Sequence, residues 1–170
     1  MKEISGIKLV LVKKLIGLGS AIVCFLLMLL KFVKYTSTSK LSSGSSITWD
    51  DGVSLFNFLF DKDYEVFDGN VTILRDAFGY SYVIMWVSFV LCLTSIILLT
   101  VGFFLKKGIV SKIGSFVLIG AIVLLFTVVF DKECSGNTVR YLNIFTLIYG
   151  LIVLIGVVGL AATITLNDKR

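Results

Sequence analysis

Residues 79–105 read GYSYVIMWVSFVLCLTSIILLTVGFFL, a run of 27 residues without a charge. The link 106-KKGIVSK-112 follows, and then a second uncharged run, 113-IGSFVLIGAIVLLFTVVF-130. An uninterrupted apolar run of roughly 18 residues marks a membrane-spanning helix. The link is too short for anything but a tight turn, so the two runs predict an antiparallel hairpin of spans. At 1.5 Å per residue the first run is about 40 Å long, more than the ~30 Å of bilayer hydrocarbon, so it must tilt or project. Tyr80, Tyr82 and Trp86 stand at its beginning, where amphipathic rings favour the membrane interface.

Two further runs flank this hairpin, Leu15–Leu30 and Tyr141–Leu166. The four together predict an all-α integral membrane protein, a four-helix antiparallel bundle with spans at about 15–33, 79–105, 113–130 and 141–166. The outer loops are then 35–78 and 131–140, and the inner turn is 106–112. The 170 residues are 57% hydrophobic and only 16% charged, with a mean hydropathy of +1.00. Soluble domains carry about 25% charge. One membrane domain fills the chain, and a second, soluble domain has no room.

The net charge of +5 is unevenly placed. With a cytoplasmic N-terminus, the inner segments carry Lys2, Lys8, Lys13, Lys14, Lys106, Lys107, Lys112, Lys169 and Arg170 against Glu3 and Asp168, a net of +7. The outer segments hold seven basic and nine acidic residues, a net of −2. Basic residues flanking spans prefer the cytoplasmic side, which puts both termini in the cytoplasm of a multi-pass protein of the cell membrane. The basic balance is therefore a topology signal and not a nucleic-acid footprint. A Lys-rich inner face also suits anionic lipid.

The basic N-terminus followed by an apolar run has the form of a signal peptide. Lys31 and Lys34 stand between that run and the small residues at Tyr35–Ser39, which is unusual for a cleaved signal. Val23 stands where a lipobox before Cys24 needs a small residue. A retained first helix is expected, with Lys31 snorkelling while Phe32 and Val33 complete the span. The loop then opens on a Ser/Thr-rich stretch, 36–46, of flexible composition. Leu55, Phe56, Leu59 and Phe60 share one face at helical spacing, with Thr48 as N-cap and Asp51 at the capping-box position. Such a helix should lie on the bilayer surface or pack over the bundle's outer end. Asp68-Gly69-Asn70 reads as a turn, and Val71–Leu74 suits either a strand or the first turn of the next helix.

Motifs that carry chemistry are scarce. The chain has no His and no Pro. No Asp, Glu, Lys or Arg is expected deep in a span, where proton relays and coupled transporters need them. Asp61, Asp63 and Glu65 begin with the spacing of a calcium loop, but Val66 and Thr72 replace the required Gly and Glu, which leaves a solvated loop. Asn70-Val71-Thr72 fits a glycosylation acceptor, relevant only in a eukaryotic secretory setting. Cys24 and Cys92 read as packing thiols, and Cys134 as an outer thiol, unpaired or bridged to another chain. Tyr141, Phe145 and Tyr149 form an aromatic stripe at i, i+4, i+8. Gly17 and Ala21, Ser20 and Cys24, and Gly156, Gly159 and Ala162 form small faces that let helices approach, within the bundle or toward another subunit.

The expected function is contact rather than catalysis, with no cofactor and no metal. The chain reads as an accessory or structural subunit of a larger membrane complex. Its candidate partner-contact residues are Trp49, Leu55, Phe56, Leu59, Phe60, Gly156, Gly159 and Ala162. Its partners are the lipid bilayer and another membrane protein or a second copy. A holin-like or immunity-type protein is the alternative, followed by a small transporter or oligomeric channel. In outline the layout resembles claudin-like proteins: four spans, cytoplasmic termini and a long first outer loop containing a Trp. The paired cysteines of that family's loop are absent here, since 35–78 contains none.

Overall fold

The computed structural model describes residues 2–40, 43–60, 63–66, 70–73, 80–105, 108–127, 138–144 and 146–166. Four long helices carry the fold: α1 (Lys2–Met28), α3 (Tyr80–Phe104), α4 (Gly108–Thr127) and α5 (Thr146–Ile164). Each is long and apolar enough to cross a membrane. These four match the all-α expectation, and the segments between them depart from it.

Strand β1 (Lys31–Lys40) leaves α1 after a short 3₁₀-like close, in which the Leu29 and Leu30 amides donate to Leu26 and Leu27. It pairs antiparallel with β2 (Ser46–Ser54) on one side and with β5 (Thr138–Ile144) on the other. Gly44, at φ +80°, sits in the β1–β2 connection in the left-handed region that glycine enters without a steric penalty. A second hairpin joins β3 (Asp63–Val66) to β4 (Asn70–Ile73).

Several expectations are corrected by this pairing. Within the 36–46 stretch, 36–40 and Ser46 are strand rather than flexible chain: Thr36 and Thr38 favour an extended backbone once neighbours complete the ladder. Lys31, Phe32 and Val33 begin β1 instead of finishing the first span. Thr48 and Asp51 lie in β2, opposite Thr38 and Tyr35, and not at the start of a helix. Helix α2 covers only Leu55–Phe60, and the buried Ser54 takes the position before it, one that favours serine. Asp63 and Glu65 are strand residues, and Val71–Ile73 is strand too. Tyr141 belongs to β5, so the last helix begins at Thr146 and the stripe through Tyr149 does not form. Helix α4 begins at Gly108, so most of the inner turn is already helical. Cys134, Phe145, Asp61, Asp68-Gly69 and the lysines at 106 and 107 lie outside the described residues.

The helices touch in a ring, α1 against α3 and α5, and α4 against α3 and α5. Contacting positions rise on one helix as they fall on its neighbour. Ser88 meets Ala121 and Ser95 meets Gly114, while Ser20 meets Gly159 and Cys24 meets Ile152. The sheet and α2 therefore sit at one end, and the C-terminal end of α3 and the start of α4 at the other. The core follows the ring's axis through Ala21, Cys24, Met85, Cys92, Leu99, Leu118, Leu125 and Ile152.

Candidate functional site

At the sheet end, α2 splits its four apolar residues between two faces. Leu55 and Leu59 are buried and join the core of the bundle. Phe56 and Phe60 are 54% and 47% exposed. Their rings lie 4.8 Å apart, and Phe60 meets Trp86 at 5.6 Å and Phe89 at 6.1 Å, both edge-on. Phe89 in turn lies 5.9 Å from Phe25 of α1. Edge-to-face aromatic pairs of this spacing each add about 0.5–1.5 kcal/mol beyond the area they bury. The result is a fixed aromatic ridge running from α2 down onto α3 and α1. Trp49 lies in β2, paired with Ser37, rather than on the helix with the phenylalanines.

The other three nominated residues sit elsewhere. A Cβ on Gly156 would meet Ile122 Cδ1 at 2.5 Å, and one on Gly159 would meet Ser20 Cβ at 2.7 Å. Both glycines are buried between helices of this chain, and Ala162 is half-buried beside them. The small face of α5 is thus spent on α1 and α4. In a bilayer, where lipid provides no hydrophobic drive between helices, such close approach and hydrogen bonds are what holds helices together.

Those bonds form a buried polar seam. Ser88 Oγ donates to Ala121 O and Ser95 Oγ to Gly114 O, each at 2.8 Å, tying α3 to α4. Thr163 Oγ1 lies 2.8 Å from Ser115 Oγ and ties α5 to α4. Tyr149 reaches Ile122 O at 3.0 Å, and Cys24 Sγ reaches Ile152 O at 3.4 Å. Cys24 and Cys92 are buried free thiols. Between helices in a membrane, hydrogen bonds of this kind average about 0.6 kcal/mol each.

The seam ends in a charge that the sequence reading placed outside the core. Lys14 is only 4% exposed, and its Nζ donates to Gly102 O at 2.8 Å. Gly102 is in the last turn of α3, where carbonyls have no amide four residues ahead within the helix. The ammonium therefore satisfies an end carbonyl and faces the negative pole of the helix. Ser111, 1% exposed, packs on the same glycine, and its hydroxyl has no hydrogen-bond partner among the described residues. Lys14 is helical because α1 starts at Lys2, well before its uncharged run, and it stands level with the last turn of α3 rather than deep in a span. The signal was present: Lys14, Gly17, Ala21, Cys24 and Met28 recur at spacings of three and four, one helical face. Extending the small face of α1 back by one step reaches Lys14.

Among the described residues, no three His, Cys, Asp or Glu side chains are grouped as metal ligands. What the arrangement offers is a bundle cross-linked through its interior and a rigid aromatic ridge at one end. Set beside known proteins, the chain matches no family profile and no curated sequence.

Proposed function

We propose that the chain inserts as an antiparallel four-helix bundle and acts by contact, as a non-enzymatic accessory or structural subunit of a larger membrane complex. The sheet end faces outward, and both termini and the Lys106-Lys107 turn face the cytoplasm. The observation that carries the contact reading is the half-exposed Phe56 and Phe60, held on a helix that Leu55 and Leu59 anchor in the core. Rigid aromatic anchors at fixed positions are what interfaces use as hot spots. The interior supports the same reading, since Ser88 and Ser95 close on carbonyls of the neighbouring helix, and Thr94, Thr100 and Thr163 on carbonyls of their own, rather than lining a path.

The protein purified from its native membranes in mild detergent should elute well above the size of the monomer. The double variant Phe56→Ser/Phe60→Ser should elute as a folded monomer, melting lower by what the Phe60–Trp86 and Phe60–Phe89 pairs contribute, about 1–3 kcal/mol together. Elution of the wild type as a monomer in several mild detergents sinks the reading. Orientation is checked separately. A membrane-impermeant thiol reagent should label Cys134 on intact cells, and labelling only after permeabilisation reverses the sidedness.

A further inference from the structure

Helix α1 does not end where the bundle ends. Beyond Lys14 it continues through Lys2–Lys13, about 18 Å at 1.5 Å per residue. Every residue of Gly6–Val12 is exposed, with Ile7 at 70% and Leu9 at 56%. Seven consecutive helical positions go around the axis about twice, so Ile7, Leu9, Val10, Leu11 and Val12 make the segment apolar on every side. A helix apolar all round does not stand in water. Its basic residues Lys8 and Lys13 lie at the same end of the fold as Lys112, the fifth residue of α4.

We infer that this segment docks on anionic lipid. Headgroup phosphates of the leaflet at the turn end bind Lys8, Lys13 and Lys112, while Ile7 and Leu9–Val12 sit among headgroups and upper acyl chains. The inference rests on the membrane-insertion reading above. Length supports it: Lys14–Met28 spans about 22 Å, short of the ~30 Å of hydrocarbon. Of the preceding 18 Å or so, about 8 Å completes the hydrocarbon and brings the helix to Lys8 at the headgroups, which Lys13 reaches by snorkelling, and the rest runs through the headgroup layer and past it. Charge selects lipid over a second copy. Two co-inserted copies pairing α1 in parallel would set Lys8 and Lys13 against their own equivalents, whereas an anionic leaflet supplies the opposite charge.

The test uses the full chain, with Ile7→Cys carrying an environment-sensitive fluorophore in a Cys134→Ser background; Cys24 and Cys92 are buried. In detergent micelles, phosphatidylglycerol should shift the emission to the blue with saturable binding. Phosphatidylcholine and inorganic phosphate at equal concentration should not. Adding Lys8→Gln/Lys13→Gln should weaken phosphatidylglycerol binding roughly twentyfold, about fivefold per lysine near an anionic surface. Equal response to phosphatidylcholine, or to inorganic phosphate alone, overturns the inference. So does a shift that follows protein concentration without added lipid, which would mean self-association. Flotation with vesicles reports insertion independently: protein that floats but ignores phosphatidylglycerol refutes the docking and spares the insertion.

Discussion

Gly102→Leu should abolish folding of the bundle, whereas Gly120→Leu should melt like the wild type. Both glycines lie in apolar helices, and nothing in their sequence surroundings separates them. Their neighbours do. A Cβ on Gly102 would sit 2.5 Å from Ser111 Oγ, 2.8 Å from Ser111 N and 3.2 Å from Ser111 Cα. Two of those atoms are backbone, so no rotamer change relieves the overlap; α3 and α4 must separate. Separation also strains the Ser95–Gly114 and Ser88–Ala121 bonds that align the same pair of helices. Overpacking a closed core costs about 1–3 kcal/mol even where side chains can give, and a backbone collision belongs at or above the top of that range. Gly120 has nothing within 4 Å. Gly156→Ala should fall between them, because the atom it meets is the flexible end of Ile122. Thermal unfolding in mild detergent, read by size-exclusion yield after heating, ranks the three. A Gly102→Leu protein that melts with the wild type means that α3 and α4 are not in backbone contact.

That ranking marks where the sequence stops informing. Four long apolar helices were legible because uninterrupted apolar length is a local property, and so were the small faces of Gly17 with Ala21 and Ser20 with Cys24, all four of them buried. The sheet was not legible. β1 pairs with β5 from Val33↔Ile144 to Ser39↔Thr138, positions about a hundred residues apart in the chain. Nothing in 36-TSTSK-40 alone distinguishes a strand with partners from a solvated linker, because its stability comes from the partners. The same limit explains the division of α2. Spacing placed Leu55, Phe56, Leu59 and Phe60 on one face, but a six-residue helix lying across the end of a bundle meets the core along one edge only. Its leucines met the core and its phenylalanines did not. The partner-facing reading of Gly156 and Gly159 failed for a different reason. A small face serves either another helix of the chain or another protein, and only the packing of α1 and α4 onto α5 decides between them.

Lys14→Glu should be the most damaging single charge change in the chain, and Lys14→Met should be tolerated. The wild-type ammonium is nine-tenths buried or more and bonds a carbonyl at the C-terminal end of α3. A hydrogen bond to a charged group contributes about 1.5–3 kcal/mol, and a cation at a partly buried helix C-terminus gains up to ~2 kcal/mol from the backbone dipoles. Desolvating the ammonium opposes both terms. Methionine of similar length therefore loses the bond and the dipole attraction, yet escapes the desolvation cost, and the net change is small. Glutamate reverses the sign at the same place. Its carboxylate faces a carbonyl oxygen and the negative pole of α3, and a single neutral hydroxyl such as that of Ser111, packed on the same glycine, does not offset its desolvation. Leaving a buried charge uncompensated costs about 3–5 kcal/mol, a large share of the 5–15 kcal/mol that holds a typical domain. The Glu variant should be lost from membranes or melt far below the wild type, the Met variant should remain close to it, and Lys14→Arg should lie between them, since a guanidinium keeps the charge but not the shape. If the Glu and Met variants melt together, the Lys14 side chain does not sit against Gly102. The position would then be an ordinary flanking lysine, as its place just outside the uncharged run Leu15–Leu30 suggests.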